Sequence, residues 1–167
     1  QVQFFGTNST LSPITGWSWD FDDGSTANIQ EPFHSFSTAG LYNVKLIITN
    51  QEGCTDSITQ QVQVHELPVA SITANPGTTV CAEIPMTFNG SSTTTITDWE
   101  WDFGDGNIAT GQNVNHTFAT AGTYIVTLSV LNNNSCEDTQ TETIIVNPLP
   151  EADFSMFPDD TNCVGEQ

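Results

Sequence analysis

Hydrophobic and polar residues alternate along short stretches of this chain, with Gly, Pro and Asn between them. In residues 97–103, Trp99, Trp101 and Phe103 share one face of a strand, and acidic residues take the other face. Residues 123–131 alternate in the same way. Further strands are predicted at 69–74, 84–90, 113–118 and 141–146. Short strands at this spacing predict an all-β sandwich.

The sequence contains the same unit more than once. Trp19 recurs 82 residues later as Trp101. The same offset continues without gaps through Cys54 and Cys136 and reaches Cys163. A tandem array is therefore predicted. Its domains are 1–66 (the first repeat), which lacks its first strand, 67–148 (the second repeat), which is complete, and 149–167, the first strand and following loop of a third copy.

Charge narrows the classes of partner. The chain has one Lys or Arg, namely Lys45, against 20 Asp and Glu, for a net charge of −19. Nucleic-acid binding needs clustered basic side chains, so we expect no nucleic-acid partner. The same field repels an anionic membrane surface, and no apolar run approaches the roughly 20 residues of a membrane span. We expect no direct membrane insertion, and an export signal outside this stretch.

The motif string WDFGDG…HTF…AGTYIVTLSV, which begins at Trp101, resembles the PKD domain, an immunoglobulin-like sandwich. The first repeat carries the same pattern except at Asp22, where the pattern has Gly. The resemblance implies all-β, tandem immunoglobulin-like sandwiches arranged end to end. It also resembles PKD arrays in large surface and secreted proteins of Bacteroidetes-type bacteria. The predicted structural core motif comprises Trp17, Trp19, Phe21, His34, Tyr42, Trp99, Trp101, Phe103, His116 and Tyr124.

The acidic cluster after each Trp-rich strand has two interpretations. Asp beside Gly at a strand end usually bonds to backbone amides in a turn. Some PKD domains bind calcium, so the resemblance also makes these oxygen ligands weak calcium candidates. The candidates are Asp102, Asp105 and Asn107, together with Asp20, Asp22 and Asp23. No cofactor is required under either interpretation.

Other chemistry is less favoured by the sequence. Phosphate-loop, zinc-site and nucleophile motifs are absent from it, so we expect no enzymatic activity. Exposed Trp rings would favour carbohydrate binding. Trp99 and Trp101 share a face with Phe103, however, which favours core packing.

Four cysteines occupy matched positions, namely Cys54, Cys81, Cys136 and Cys163. In an immunoglobulin-like topology, Cys81 and Cys136 lie at opposite ends of one domain, farther apart than the ~7 Å limit between Cα atoms of a disulfide. We therefore favour bridges between neighbouring domains. Pairing within a domain and free thiols remain open alternatives.

The leading functional hypothesis is mechanical, an extended stalk of a bacterial cell-surface adhesin or filament. Its partners would be neighbouring copies of the domain, with cell-surface or polysaccharide ligands elsewhere. Linkers at 65–68 and 147–150 each carry Pro, which limits bending. Two alternatives stay open, a polysaccharide-binding accessory domain of a secreted hydrolase and a self-assembling extracellular fibre subunit. All three place the protein outside the cell.

Overall fold

The computed structural model describes residues 1–9 and 13–155. It divides into two compact units, Gln1–Pro68 with Asn132–Cys136, and Val69–Leu131 with Glu137–Gln167. In the first repeat the described strands are β1 (Val2–Gln3), β2 (Ile14–Asp20), β3 (Thr26–Ala27), β4 (Phe33–His34), β5 (Gly40–Asn50) and β6 (Thr55–Val64). In the second repeat they are β7 (Ala70–Asn75), β8 (Thr79–Cys81), β9 (Met86–Ser92), β10 (Ile96–Asp102), β11 (Ile108–Thr110), β12 (Asn113–His116), β13 (Gly122–Asn132) and β14 (Glu137–Asn147).

The second repeat is a sandwich of two sheets. One sheet has the order β11-β10-β13-β14-β8 and the other the order β12-β9-β7. β10 pairs antiparallel with β11, β13 with β14, and β9 with both β12 and β7, whereas β14 and β8 run parallel. Trp101, Phe88, Leu128 and Ile144 are buried between the sheets. Their alternation along each strand places the apolar face inward, which confirms the predicted all-β fold.

The first repeat has a four-stranded sheet with the order β3-β2-β5-β6 and a small sheet of β1 and β4. Its buried apolar cluster consists of Trp19, Phe21, Val44 and Leu46. Among the described residues of this repeat, no strand takes the places of β7 and β8.

Two features of the second repeat were not predicted in this form. The last strand, expected at 141–146, begins at Glu137, because it pairs with β13 from Leu131 back to Gly122. The short strands β8 and β11 were not predicted. Three residues are too few to show an alternation, and β8 forms only by pairing with the distant end of β14.

A close approach between a Trp ring and a glycine fixes the packing of β9 against β10. A Cβ on Gly90 would lie 2.6 Å from Cζ3 of Trp99. In the first repeat, Trp17 covers Gly6 in the same way. Both tryptophans are only half-buried. Each therefore packs directly on backbone, and the glycine is required by the close approach rather than by an unusual φ angle.

We predict that Gly90→Ala destabilises the second repeat by about 1–3 kcal/mol, because the added methyl must displace the Trp99 ring. Gly122→Ala is the matched control. Its Cβ would lie 3.4 Å from the Tyr124 ring, an ordinary contact, and we expect a change below about 1 kcal/mol. Urea unfolding followed by Trp fluorescence measures both, and equal midpoints for the two variants would contradict the prediction.

Candidate functional site

The turn that follows each Trp-rich strand is held by carboxylates that accept backbone hydrogen bonds. Oδ1 of Asp102 accepts from the Gly104 N–H at 2.8 Å. Oδ1 of Asp105 accepts from the Asn107 N–H at 3.0 Å. The first repeat has the same two bonds, in which Asp20 and Asp23 are the acceptors. The acids therefore shape the turn, as short acidic side chains commonly do.

A histidine from the following strand completes this turn. His116 Nε2 lies 2.8 Å from Asp105 Oδ2, and His34 Nε2 lies 2.7 Å from Asp23 Oδ2. Each imidazole also stacks on the Phe of its motif. The centroids of His116 and Phe103 are 4.0 Å apart with planes 11° from parallel. One ring thus links the polar turn to the apolar core.

The pKa of each of these two carboxyls is shifted. Burial raises the pKa of Asp105, but hydrogen bonds from the Asn107 N–H and from His116 outweigh it, so the pKa lies below its ordinary value of 3.8. The same balance lowers the pKa of Asp23, where the donors are Ser25 and His34. The folded protein therefore favours the ionised carboxylates.

Aromatic contacts continue from the histidine into the core. The rings of Phe118 and His116 form a T-shaped contact with centroids 4.6 Å apart, and Tyr124 stacks on Phe118 with centroids 4.4 Å apart. The Tyr124 hydroxyl donates to the Thr120 carbonyl at 2.9 Å. Buried Trp101 donates its indole N–H to the Gly111 carbonyl at 2.9 Å. The equivalent residues of the first repeat make the same contacts.

Asp22 of the first repeat stands where the motif has Gly, and a hydrogen bond stabilises it there. Asp22 has a positive φ of 65°, and Gly104 at the matching position has 73°. Oδ2 of Asp22 accepts from the Asn43 N–H at 2.8 Å. The side chain therefore uses a donor on β5 to stabilise a backbone conformation that glycine adopts more readily.

The calcium hypothesis stays a prediction. Within residues 1–9 and 13–155, no group of three or more His, Cys, Asp and Glu side chains is arranged to hold a metal ion. Four of the candidate acids, at 20, 23, 102 and 105, accept bonds from their own turn.

The described cysteines are free. Cys54, Cys81 and Cys136 form no disulfide, and Cys163 lies outside the described residues. Cys81 pairs in register with Asn147, at the end of β14 remote from Cys136. Ten residues of strand separate these ends by roughly 33 Å, too far for a disulfide within the repeat. Bridges between neighbouring domains stay a prediction.

Several residues whose side chains hold backbone groups in place were not predicted from the sequence. Asn132 is buried, and its Oδ1 accepts from the Cys136 N–H at 3.0 Å, as Asn50 accepts from Cys54 at 2.9 Å. Gln112 donates its side-chain amide to the Gly90 carbonyl at 3.0 Å. The recurrence of these residues at the common offset was the available signal.

Comparison with known proteins gives a consistent family. The PKD domain model matches residues 1–65 and 65–146. A microbial collagenase of Vibrio alginolyticus is 37% identical over 68 residues, covering 40% of this chain and 8% of that protein. The pre-pro-metalloprotease PrtV of Vibrio cholerae is 30% identical over 132 residues, covering 77% of this chain and 14% of that protein. The chain thus spans a small part of both relatives.

A solved structure gives a further match. The PKD1 domain from the Vibrio cholerae metalloprotease PrtV is 27% identical, with a TM-score of 0.43. The match covers 49% of this chain and 99% of that one.

The described residues include no helix with the length and apolarity that a membrane span would need.

We predict that Asp105→Asn lowers the melting temperature (Tm) at neutral pH and reduces its acid sensitivity. Loss of a charge-assisted hydrogen bond worth about 1 kcal/mol lowers Tm by about 4–8 °C in a domain of this size. The lowered pKa of Asp105 stabilises the fold above the unfolded pKa, and this contribution is lost as the pH falls through the folded pKa. The difference from the wild type should therefore shrink below about pH 4.

Glu100→Gln is the control, because Glu100 is an exposed acid on β10, the strand that precedes the turn. It removes the same charge outside the turn, and we expect little change in Tm. Differential scanning calorimetry from neutral to acidic pH measures all three proteins. A Tm difference for Asp105→Asn that stays constant with pH would contradict the assigned role.

Proposed function

Because the chain belongs to the PKD domain family, whose model matches both repeats, we propose that it forms a spacer, the stalk segment of an extracellular bacterial surface protein. The relatives place such domains within much longer proteins. In this role each repeat supplies length and stability, and binding or catalysis belongs to other parts of the protein.

The observation that carries this proposal is the internal use of the motif. Asp105, His116 and Trp101 all bond within the second repeat, and their counterparts do so at nearly the same distances in the first. Polar side chains that hydrogen-bond within their own repeat stabilise the fold, and few of their donors remain for a ligand. A unit repeated with its internal bonds intact suits a mechanical role.

Charge and linkers support an extended arrangement. A net charge of −19 opposes close packing between domains through self-repulsion, and this repulsion is screened by salt. The linker at 65–68 ends in Pro68, which is buried and cannot donate a backbone hydrogen bond. Proline also restricts the backbone conformations open to this linker.

We predict that small-angle X-ray scattering of the dilute chain gives a radius of gyration well above the roughly 15 Å of a compact globule of this length. Replacing the exposed residues 65–67 with Gly-Ser-Gly, with buried Pro68 kept, should broaden the distance distribution without changing the melting of either repeat. A radius of gyration near the compact limit would argue against a spacer.

Thermal melts with millimolar calcium and with chelator test the calcium hypothesis. An unchanged Tm would remove the calcium site.

A second candidate is a substrate-presenting accessory module of a secreted hydrolase. It is favoured by the relatives, since one is a collagenase and the other a metalloprotease. Co-sedimentation with collagen fibrils and with insoluble polysaccharides separates the two proposals. Saturable binding by the chain would support the accessory module, and its absence at micromolar concentrations would leave the spacer.

A further inference from the structure

The small sheet of the first repeat carries an exposed phenylalanine on its outer face. Val2 pairs with His34, and Gln3 pairs with Phe33. His34 stacks on buried Phe21, with ring centroids 4.0 Å apart, so His34 faces the core. Alternation along the strand then points Phe33 away from the core, and it is 60% exposed. A large apolar ring therefore lies on the solvent side of this sheet.

The strand pairing continues past β1 and brings a second ring to the same face. The backbone N–H of Phe4 donates to the Pro32 carbonyl at 2.9 Å, which extends the ladder by one pair beyond Gln3. Phe4 packs on the core, so Phe5 points outward, and it is 61% exposed. Phe5 and Phe33 are thus diagonal neighbours, roughly 7–8 Å apart, within reach of each other's side chains.

The fold does not require these two rings. With Phe4 aligned on buried Phe88, the residue of the second repeat that matches Phe5 is Asn89, and Asn115 matches the other ring at the common offset. The second repeat forms the same strand pairing with these polar side chains. The two phenyl rings therefore serve neither core packing nor sheet formation.

The exposure of the rings follows from the side of the sheet that they face. Phe33 lies on β4, which takes the place of the edge strand β12, on the far side of the sheet from β7. The matching Asn115 is exposed in the second repeat as well. Asn89 has a paired strand on each side and is still only half-buried. A strand beside Phe5 would thus flank this ring and leave its outer side open.

Hydrogen-bonding groups lie beside the two rings. Gln3 and Glu31 are opposite them on the paired strands, and both side chains are exposed. Thr7 follows on the same face by alternation and is exposed too. Together they offer an amide, a carboxylate and a hydroxyl to a ligand. The single Lys or Arg of the chain, Lys45, lies on β5 in the other sheet, so this face has no cation to attract an anionic ligand.

A neutral polysaccharide suits this face better than a protein does. The negative face of an aromatic ring attracts the C–H groups that line one side of a sugar ring, and the sugar hydroxyls then reach the polar neighbours. Two phenyl side chains bury roughly 300–500 Å² at most. Each partner in a stable protein–protein interface buries ~800 Å². The net charge of −19 also repels anionic polymers and further copies of this chain.

We propose that the outer face of β1 and β4 binds a neutral polysaccharide. The rings of Phe5 and Phe33 pack on sugar rings of one chain, and Gln3 and Glu31 bond to its hydroxyls. This inference rests on the second candidate function, the accessory module, and gives that module a binding site. It does not depend on the spacer role, and its failure would leave that role intact.

The test is co-sedimentation of the full chain with insoluble cellulose, chitin and starch granules. The wild type should bind at least one of them saturably. The double variant Phe5→Asn with Phe33→Asn introduces the residues that the second repeat carries at these positions. It should bind at least about tenfold more weakly, because both ring contacts are lost. Its Tm should match that of the wild type, since both rings are exposed.

Leu41→Thr is the matched control. Leu41 is 53% exposed on β5 of the other sheet, and Thr123 is its counterpart in the second repeat. This variant should bind like the wild type. If the double variant binds as well as the wild type, or if the control loses binding, the assigned face is wrong while the accessory module stands. A wild type that binds none of the three polysaccharides overturns the module and the face together.

Salt and alternative ligands test the class of ligand. Binding to a neutral polysaccharide should change little from low to high salt, because it involves no ion pair. Collagen fibrils, the anionic polysaccharide alginate and the chain itself, followed by light scattering, are the alternatives. If the double variant loses binding to one of these and the wild type binds no neutral polysaccharide, the ligand class proposed here is overturned.

Discussion

Each repeat depends on covering the aromatic stripe that runs along one face of its larger sheet. In the second repeat, Trp101 and Phe103 are completely enclosed, with Phe88 at ring distances of 5.9 and 5.4 Å from them. Burial of aromatic side chains is among the largest favourable contributions available to a domain this small. The close packing of Trp99 on Gly90 and the pairing of β7 with β9 both serve that closure.

The polar part of the motif follows from the same constraint. The Asp–Gly turn leads the chain out of the buried strand, and its backbone donors need acceptors close by. Asp102 and Asp105 supply them, and His116 joins the turn to the core by stacking on Phe103. Residues that look like a catalytic or metal-binding cluster in the sequence are thus arranged to satisfy one another. This arrangement is the observation on which the proposed spacer role rests.

The sequence by itself determined the repeat unit, the all-β class and the inward face of the main strands. These depend on local periodicity, and Trp99, Trp101 and Phe103 display it within seven residues. The sequence also allowed two interpretations of the acids of the turn, hydrogen bonds to the turn backbone or a calcium site, because spacing alone cannot show which donor a carboxylate binds. Only the tertiary structure placed His116 on Asp105, Trp99 on Gly90 and β8 beside β14. Those contacts join residues of different strands and turns, so they are decided only when the strands assemble into the two sheets.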